Sequence, residues 1–305
     1  MTDTATIPET PTASGTPDSP ASGAPAPGGA AYPIDPDALT LSTEAARAAG
    51  RPRAEAYQSA TPYNHICIDG FLPVEVVERV RADLRELPEA ERAFDRAQER
   101  YKTAYNPENL PKYTRELFHA FNARPFVLFL EEMTGIKGLI PDPYYNGAGI
   151  HRVANGGHLD IHADFNVHKQ MRLERRLNVL IYLNPDWREE WGGSFEVWNK
   201  DMTEKAASFV PTYNRMVCFS TGSDTFHGNP EPVNHPEGEH RFSIALYYYT
   251  ATWDESRLQH GTLFKPRPGT ADQTDRVLAR RNAVKDLLPP KLYRKVQGPL
   301  RRIGF

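Results

Sequence analysis

Large apolar residues are almost missing from the start of the chain, recur at helical spacing over its first third, and alternate with polar ones through its middle. Residues 1–40 are built mainly of Thr, Pro, Ala, Ser and Gly. Such a stretch buries too little surface to offset the entropy of ordering it, so a disordered tail is expected. Order is expected from about residue 60. His65-Ile66-Cys67-Ile68 alternates like a strand, and Asp69-Gly70 punctuates it. Phe71-Leu72-Pro73 then opens a helix with Pro73 near its first turn, carried by Val76, Val77, Val80, Leu84 and Leu87. A second helical stretch is predicted over 113–133, with Leu117, Phe118, Phe121, Phe126, Leu128, Phe129 and Leu130 as its buried side. Pro125 should split it in two.

After Gly135 the period changes. Short runs of β-branched and aromatic residues alternate with Gly, Pro, Asn and Asp clusters, which predicts strands at 148–153, 158–162, 177–182, 194–198, 207–209, 215–219 and 241–249. Gly156-Gly157 reads as a turn that starts the second of these. Helices followed by a run of strands argue for an α+β fold on a sandwich or jelly roll. One domain over 60–260 is expected, with a helical part at 60–138 and a β core at 139–255. Residues 261–305 turn helical and basic again, with Arg280, Arg281, Lys285, Lys291, Arg294 and Lys295 among Val277, Leu278 and Leu287. We read them as a solvated helix face beside the core rather than as a docking surface for an anionic partner, because the chain as a whole is not basic.

Composition narrows the function. The 305 residues carry a formal net charge of -3, which offers no global field for nucleic acid or membrane. No apolar run approaches the roughly 20 residues that cross a bilayer. Two cysteines, Cys67 and Cys218, lie in apolar strand-like runs and suggest buried thiols rather than a disulfide framework. No Lys or Arg precedes Arg47, so the N-terminus reads as carrying no export or transit signal. A cytoplasmic location is the expectation.

The chemistry concentrates in GGHLDIHADFN (156–166), which holds two His-x-Asp pairs, His158/Asp160 and His162/Asp164. On a strand, positions i and i+2 face the same way, so each pair aims an imidazole and a carboxylate into one space. Two imidazoles and one carboxylate on one face of a metal suit non-haem Fe(II), since three positions stay open. His158 and His162 stand about 13 Å apart on an extended strand and cannot both bind one ion. We assign His162 and Asp164, near the strand's end, as ligands. His158 and Asp160 are left either as contacts on the same face or as ordinary polar strand residues. The third ligand should come from a later strand: His227, in FHGNP after an apolar strand, is preferred over His235 and His240 in a loop that reads as exposed. Arg241 and Ser243 then share a face of RFSIALYYYT. An inward arginine needs an anion, either a protein carboxylate or a bound dicarboxylate.

The ordered landmarks HAD (162–164), RLNVLIYLN (176–184), Asp186-Trp187, WGGSFEVW (191–198), FHGNP (226–230) and RFS (241–243) resemble the prolyl-4-hydroxylase-like branch of the Fe(II)/2-oxoglutarate-dependent dioxygenases. FLP (71–73) followed by an amphipathic helix also looks like this family. The resemblance implies a double-stranded β-helix, a jelly roll, with N-terminal and C-terminal helices. It implies Fe(II) held by His162, Asp164 and His227, with 2-oxoglutarate and O2 as co-substrates and L-ascorbate as reductant. Arg241 matches the family's clamp on the distal carboxylate of 2-oxoglutarate. Ser243 is its neighbour, Tyr182 matches a tyrosine that bonds the same carboxylate in some members, and Asn178 shares that strand face. The implied reaction decarboxylates 2-oxoglutarate to succinate and CO2 while hydroxylating a C–H bond. Related halogenases carry a small residue where this chain has Asp164, so hydroxylation is expected. A free small molecule, an amino acid or secondary metabolite, is the expected substrate. A protein residue such as proline is one alternative, and a non-catalytic metal-binding jelly roll is another.

Overall fold

A computed structural model of the chain describes residues 29–87, 90, 92–253 and 257–272. Helices α1 (Thr43–Gly50) and α2 (Ala54–Gln58) precede strand β1 (His65–Ile68) and helix α3 (Val74–Asp83). A hairpin, β2 (Arg92–Arg96) and β3 (Glu99–Tyr105), leads to helices α4 (Lys112–Asn122) and α5 (Arg124–Thr134). The remaining strands are β4 (Ile140–Pro141), β5 (Gly149–Ala163), β6 (Glu174–Tyr182), β7 (Phe195–Trp198), β8 (Lys205–Phe209), β9 (Arg215–Ser220), β10 (Phe226–Asn229), β11 (Arg241–Thr250) and β12 (Leu263–Phe264). The main strand path runs β1-β9-β6-β11-β5-β10-β7-β8, all antiparallel.

Strand β5 joins two sheets. Its first part, Gly149–Val153, pairs with β11, and its later part, from Leu159 to His162, pairs with β10. Along its other edge lies β3. The layers curl into the nearly closed β-sandwich of a double-stranded β-helix. Gly156-Gly157 is not a turn that starts a strand: β5 runs through it without a break. Gly156 has φ +79, and a Cβ on Gly157 would stand 2.5 Å from Val153 and 2.9 Å from the Arg100 carbonyl. The pair lets β5 bend where β3 crosses close by.

The period of two in these strands separates two interiors. Leu177, Val179, Ile181, Met216, Cys218, Ile244, Leu246 and Tyr248 face the helices and join Val76, Val80, Phe118, Phe121, Phe126 and Phe129 in the main core. Their neighbours Tyr182, Val217 and Phe219 face inward, toward Phe195 and Val197 of the second sheet. Pro125 separates two helices as expected, with the break at Ala123, whose backbone is extended. Cys67 and Cys218 are both buried thiols.

Three further features depart from the sequence reading. The packed chain reaches back well before residue 60: Ala31, Tyr32 and Ile34 are buried, and α1 packs beside α5. Tyr32 sits among the rings of Phe71, Phe126 and Phe129, at centroid distances of 6.0, 5.1 and 5.2 Å. One aromatic anchor in a Pro/Ala/Gly-rich window is outweighed by the average composition around it. The part expected to be helical also contains the β2–β3 hairpin, whose first strand is nearly all exposed and so lacks the apolar alternation of a half-buried strand. The helical reading of 261–305 falls outside the described residues beyond Asp272; within them the segment forms the short strand β12. Replacing Tyr32 with Ala should cost about 3–5 kcal/mol, as for other buried aromatics. Urea unfolding of the full chain checks this, and a change below about 1 kcal/mol would show that the arm is not part of the cooperative core.

Candidate functional site

Register brings the distant histidines together. His162 on β5 pairs directly with His227 on β10, 65 positions later in the chain, and their ring centroids are 4.6 Å apart. Gly228 permits this approach, since a Cβ there would stand 2.7 Å from the Leu159 carbonyl and 2.9 Å from that of Asp160. Asp164, just past the end of β5, completes the set. One ligand atom from each of His162, Asp164 and His227 lies within 4.8 Å of the others. His162 Nε2 is 3.7 Å from Asp164 Oδ1, and His227 Nε2 is 3.3 Å from Oδ2.

Both rings are oriented the same way. His162 Nδ1 lies 2.9 Å from the Asp160 carbonyl, and His227 Nδ1 lies 3.0 Å from the Thr225 carbonyl. Donation from Nδ1–H to these oxygens leaves each Nε2 with a free lone pair, which is the state a metal needs. Burial, opposed in part by Asp164, holds His227 below the usual histidine range and so keeps it neutral. Phe219 packs on the His227 ring at 4.4 Å and Phe264 on the His162 ring at 5.5 Å.

Asp164 is held in turn by two groups. Asn178 Nδ2 donates to its Oδ2 at 2.7 Å, and an Arg175 guanidinium nitrogen stands 3.2 Å from the same oxygen. Arg175 also donates twice to Asn178 Oδ1, at 3.0 and 2.7 Å. Its guanidinium lies over the Tyr247 ring at 3.7 Å and over Phe165 at 4.4 Å. Burial alone would raise the Asp164 carboxyl, but Arg175 and the two imidazoles outweigh it and hold it well below the ordinary range. Sequence reasoning missed Arg175. The signal was present, since Arg175-Arg176 opens an apolar strand and the argument applied to Arg241 applies equally there. Asn178, expected beside 2-oxoglutarate, lines the cavity but spends its amide on Asp164 and Arg175.

These side chains face one cavity of about 310 Å³, within the range for small-molecule sites. Arg241 and Ser243 line the same cavity. Arg241 is 4 % exposed, donates to the Tyr182 hydroxyl at 3.3 Å, and has no hydrogen-bond partner for its Nε among the described residues. No carboxylate pairs with it among those residues. Burial pulls its pKa down, while the Tyr182 hydroxyl is pushed up to about 12, also by burial, and so remains protonated. A buried guanidinium without an anion is costly, and an entering carboxylate would satisfy it. Gly193 makes room for this side chain. It adopts φ +69, and a Cβ there would stand 2.9 Å from Arg241 Cδ and 3.0 Å from Val233 Cγ2.

The other sequence candidates separate. His158 lines the cavity and lies 3.5 Å from Asp160. His235 packs against Trp187 and Trp191, and His240 against Phe242, away from the three-residue cluster. Two further parts of the cavity were not anticipated: the β2–β3 hairpin, and the segment Thr262–Phe264, where β12 pairs with His162 and Ala163.

The donor set fits a small divalent ion of the Fe(II) type, and the unpartnered Arg241 fits a carboxylate. Comparison with known proteins agrees. Residues 148–249 match the family model described as the 2OG-Fe(II) oxygenase superfamily. This stretch is similar to a 2OG-Fe(II) oxygenase domain. It contains all three cluster residues and Arg241. The chain is also similar to a curated mouse relative, prolyl 3-hydroxylase OGFOD1, at 28% identity over 79 residues; that match covers 25% of this chain and 14% of the mouse protein. Among solved structures, a prolyl hydroxylase from Trichoplax adhaerens superposes with a TM-score of 0.50 at 15% identity, covering 68% of this chain and 91% of that one. That likeness shows the shared fold. HygX from Streptomyces hygroscopicus, solved with nickel, 2-oxoglutarate and hygromycin B, gives a TM-score of 0.47 at 12% identity over 71% of this chain and 97% of that one. The cofactors of this oxygenase class are Fe(II) and 2-oxoglutarate. No helix of the described residues is long and apolar enough to cross a membrane.

Gly193→Ala is expected to raise the KM for 2-oxoglutarate about tenfold with Fe(II) affinity unchanged. The left-handed backbone costs an L-residue about 1–2 kcal/mol, and the new methyl displaces Arg241. Separate titrations of metal and 2-oxoglutarate would check the split, and equal loss of both would point to general misfolding.

Proposed function

We propose that the protein is an Fe(II)- and 2-oxoglutarate-dependent dioxygenase that hydroxylates an unactivated C–H bond of a small molecule. The observation that carries this reading is one cavity lined both by a His-Asp-His cluster and by a buried Arg241 that has no anion among the described residues. In this reading His162, Asp164 and His227 hold the iron, and Arg241, with Tyr182 and Ser243 beside it, receives the distal carboxylate of 2-oxoglutarate. Bound iron and 2-oxoglutarate together supply the oxidising power that side chains lack.

The chain's own residues do the rest. The Asp160 and Thr225 carbonyls fix the tautomers of His162 and His227. Arg175 and Asn178 engage Oδ2 of Asp164, which leaves Oδ1 for the metal and opposes a swing of the carboxylate. Phe195 and Phe219 pack on the His227 ring and Phe264 on the His162 ring, which gives that part of the cavity an apolar lining. The cavity volume of about 310 Å³ supports a small substrate over a long peptide.

Anaerobic titration of the protein with Fe(II) and 2-oxoglutarate tests the reading through the weak visible charge-transfer band of the chelated complex. A band in wild type that is lost in Asp164→Ala and weakened in Arg241→Ala is expected. Normal iron binding with no band would overturn the oxygenase reading in favour of a non-catalytic metal-binding jelly roll.

A further inference from the structure

We propose that the primary substrate carries an acid group, a carboxylate or a phosphate, which docks on Arg92 and Arg96 of β2 with the adjoining apolar body against Phe94. This rests on the oxygenase reading of the same cavity and adds the chemical class of the substrate.

The argument starts from the hairpin. Arg92, Phe94 and Arg96 occupy alternate positions of β2, and all three line the cavity. The intervening Asp95 lies 3.5 Å from Arg100. Strand β3 carries the hairpin along the edge of β5, and so places these side chains on the cavity that holds His162 and Asp164.

The cavity's charges do not cancel. Lys102 is 3.0 Å from Glu99, and Arg175 is 3.2 Å from Asp164, so both of those cations are paired. Arg241 is committed to 2-oxoglutarate in the reading above. Arg92 and Arg96 remain, with no carboxylate within 4 Å among the described residues. Exposed arginines are common on any surface, but these two stand either side of Phe94 in the strand, and all three line a cavity. Arg96 lies 5.8 Å and Lys102 5.3 Å from the centre of the Phe94 ring. An aromatic ring with a guanidinium beside it and a second arginine two positions away on the same cavity lining suits an amphipathic acid. Guanidinium groups grip carboxylate or phosphate through paired N–H donors, and their field draws anions into the cleft.

The test uses three probes with one body, 3-phenylpropionate, 3-phenylpropyl phosphate and the neutral 3-phenylpropanamide. Binding is followed by ligand-observed NMR with the full-length protein loaded with redox-inert Zn(II) and saturating 2-oxoglutarate. At least one acid is expected to bind about tenfold more tightly than the amide, and the stronger of the two identifies the acid type. Arg92→Glu/Arg96→Glu should abolish that preference. Arg100→Glu, which reverses a charge on the same hairpin outside the cavity, should leave it in place. Equal binding of acids and amide, binding of none of the three, or a preference that survives Arg92→Glu/Arg96→Glu overturns the proposal. So does a preference lost in Arg241→Met but kept in the double variant, since the acid would then be occupying the co-substrate clamp. Affinity for 2-oxoglutarate is measured separately. Failure there removes the oxygenase reading, while the acid preference of the β2 arginines is still read in its absence.

Discussion

Asp164→Ala is expected to remove Fe(II)-supported turnover of 2-oxoglutarate and at the same time to destabilise the metal-free protein. The first effect follows from the proposed ligand set, because only two neutral imidazoles would remain. Loss of a group that merely holds a ligand costs about 10–100-fold, and loss of the anionic ligand itself should exceed that. The second effect comes from Arg175. Its side chain is 1 % exposed and pairs with Asp164 at 3.2 Å, so removing the carboxylate leaves a buried cation without its counter-charge. Breaking such a pair costs about 3–5 kcal/mol, and the bonds to Asn178 Oδ1 reduce this only in part. Arg175→Met in the Asp164→Ala background should therefore recover much of the lost stability and none of the iron binding. Urea unfolding and Fe(II) titration of the four proteins in the cycle measure both. Unchanged stability in Asp164→Ala would show that the Arg175 pair contributes little. Retained iron binding would remove Asp164 from the ligand set.

Arg241→Met should act with the opposite sign on stability. Arg241 has no carboxylate partner among the described residues, and burial already pulls its pKa down. Substituting an apolar side chain of similar length removes an uncompensated buried cation, so the protein without 2-oxoglutarate should be as stable as wild type or more so. Binding of 2-oxoglutarate should fall about 100-fold or more, in line with the roughly 2–5 kcal/mol lost when one partner of a buried charge pair is truncated. Saturating 2-oxoglutarate should also raise the melting temperature of wild type and not of the variant. Calorimetric titration and thermal melts check both parts. A destabilised variant with intact 2-oxoglutarate binding would show that Arg241 serves the fold alone. Together the two substitutions separate a charge already neutralised within the protein from one held for a ligand.

Much of this site is legible in the amino-acid sequence, and for local reasons. The spacing of His162 and Asp164 needs only an extended backbone to put both on one side, and a two-residue period does the same for Arg241 and Ser243. That period also assigns Tyr182 and Asn178 to one face of β6, although the work of Asn178 cannot be read from it. The helices α3 to α5 are visible because each buries one apolar stripe.

Tertiary structure decided what depends on distant pairing. The local context of His227 already favoured it over His235 and His240, but only the register of β10 against β5 sets it directly opposite His162. An inward arginine at Arg175 could be read from its strand, but its partners Asp164, Phe165 and Tyr247 are set by the fold. The hairpin β2–β3 carries no alternating apolar pattern, because its first strand faces water and the cavity rather than the core. Tyr32 stands in a segment whose composition suggests disorder, yet Phe126 and Phe129 of α5, with Phe71, form its pocket. Patterns repeated along one element are set by backbone geometry and survive in the sequence. Contacts between elements depend on where packing brings them, and only the folded chain states that.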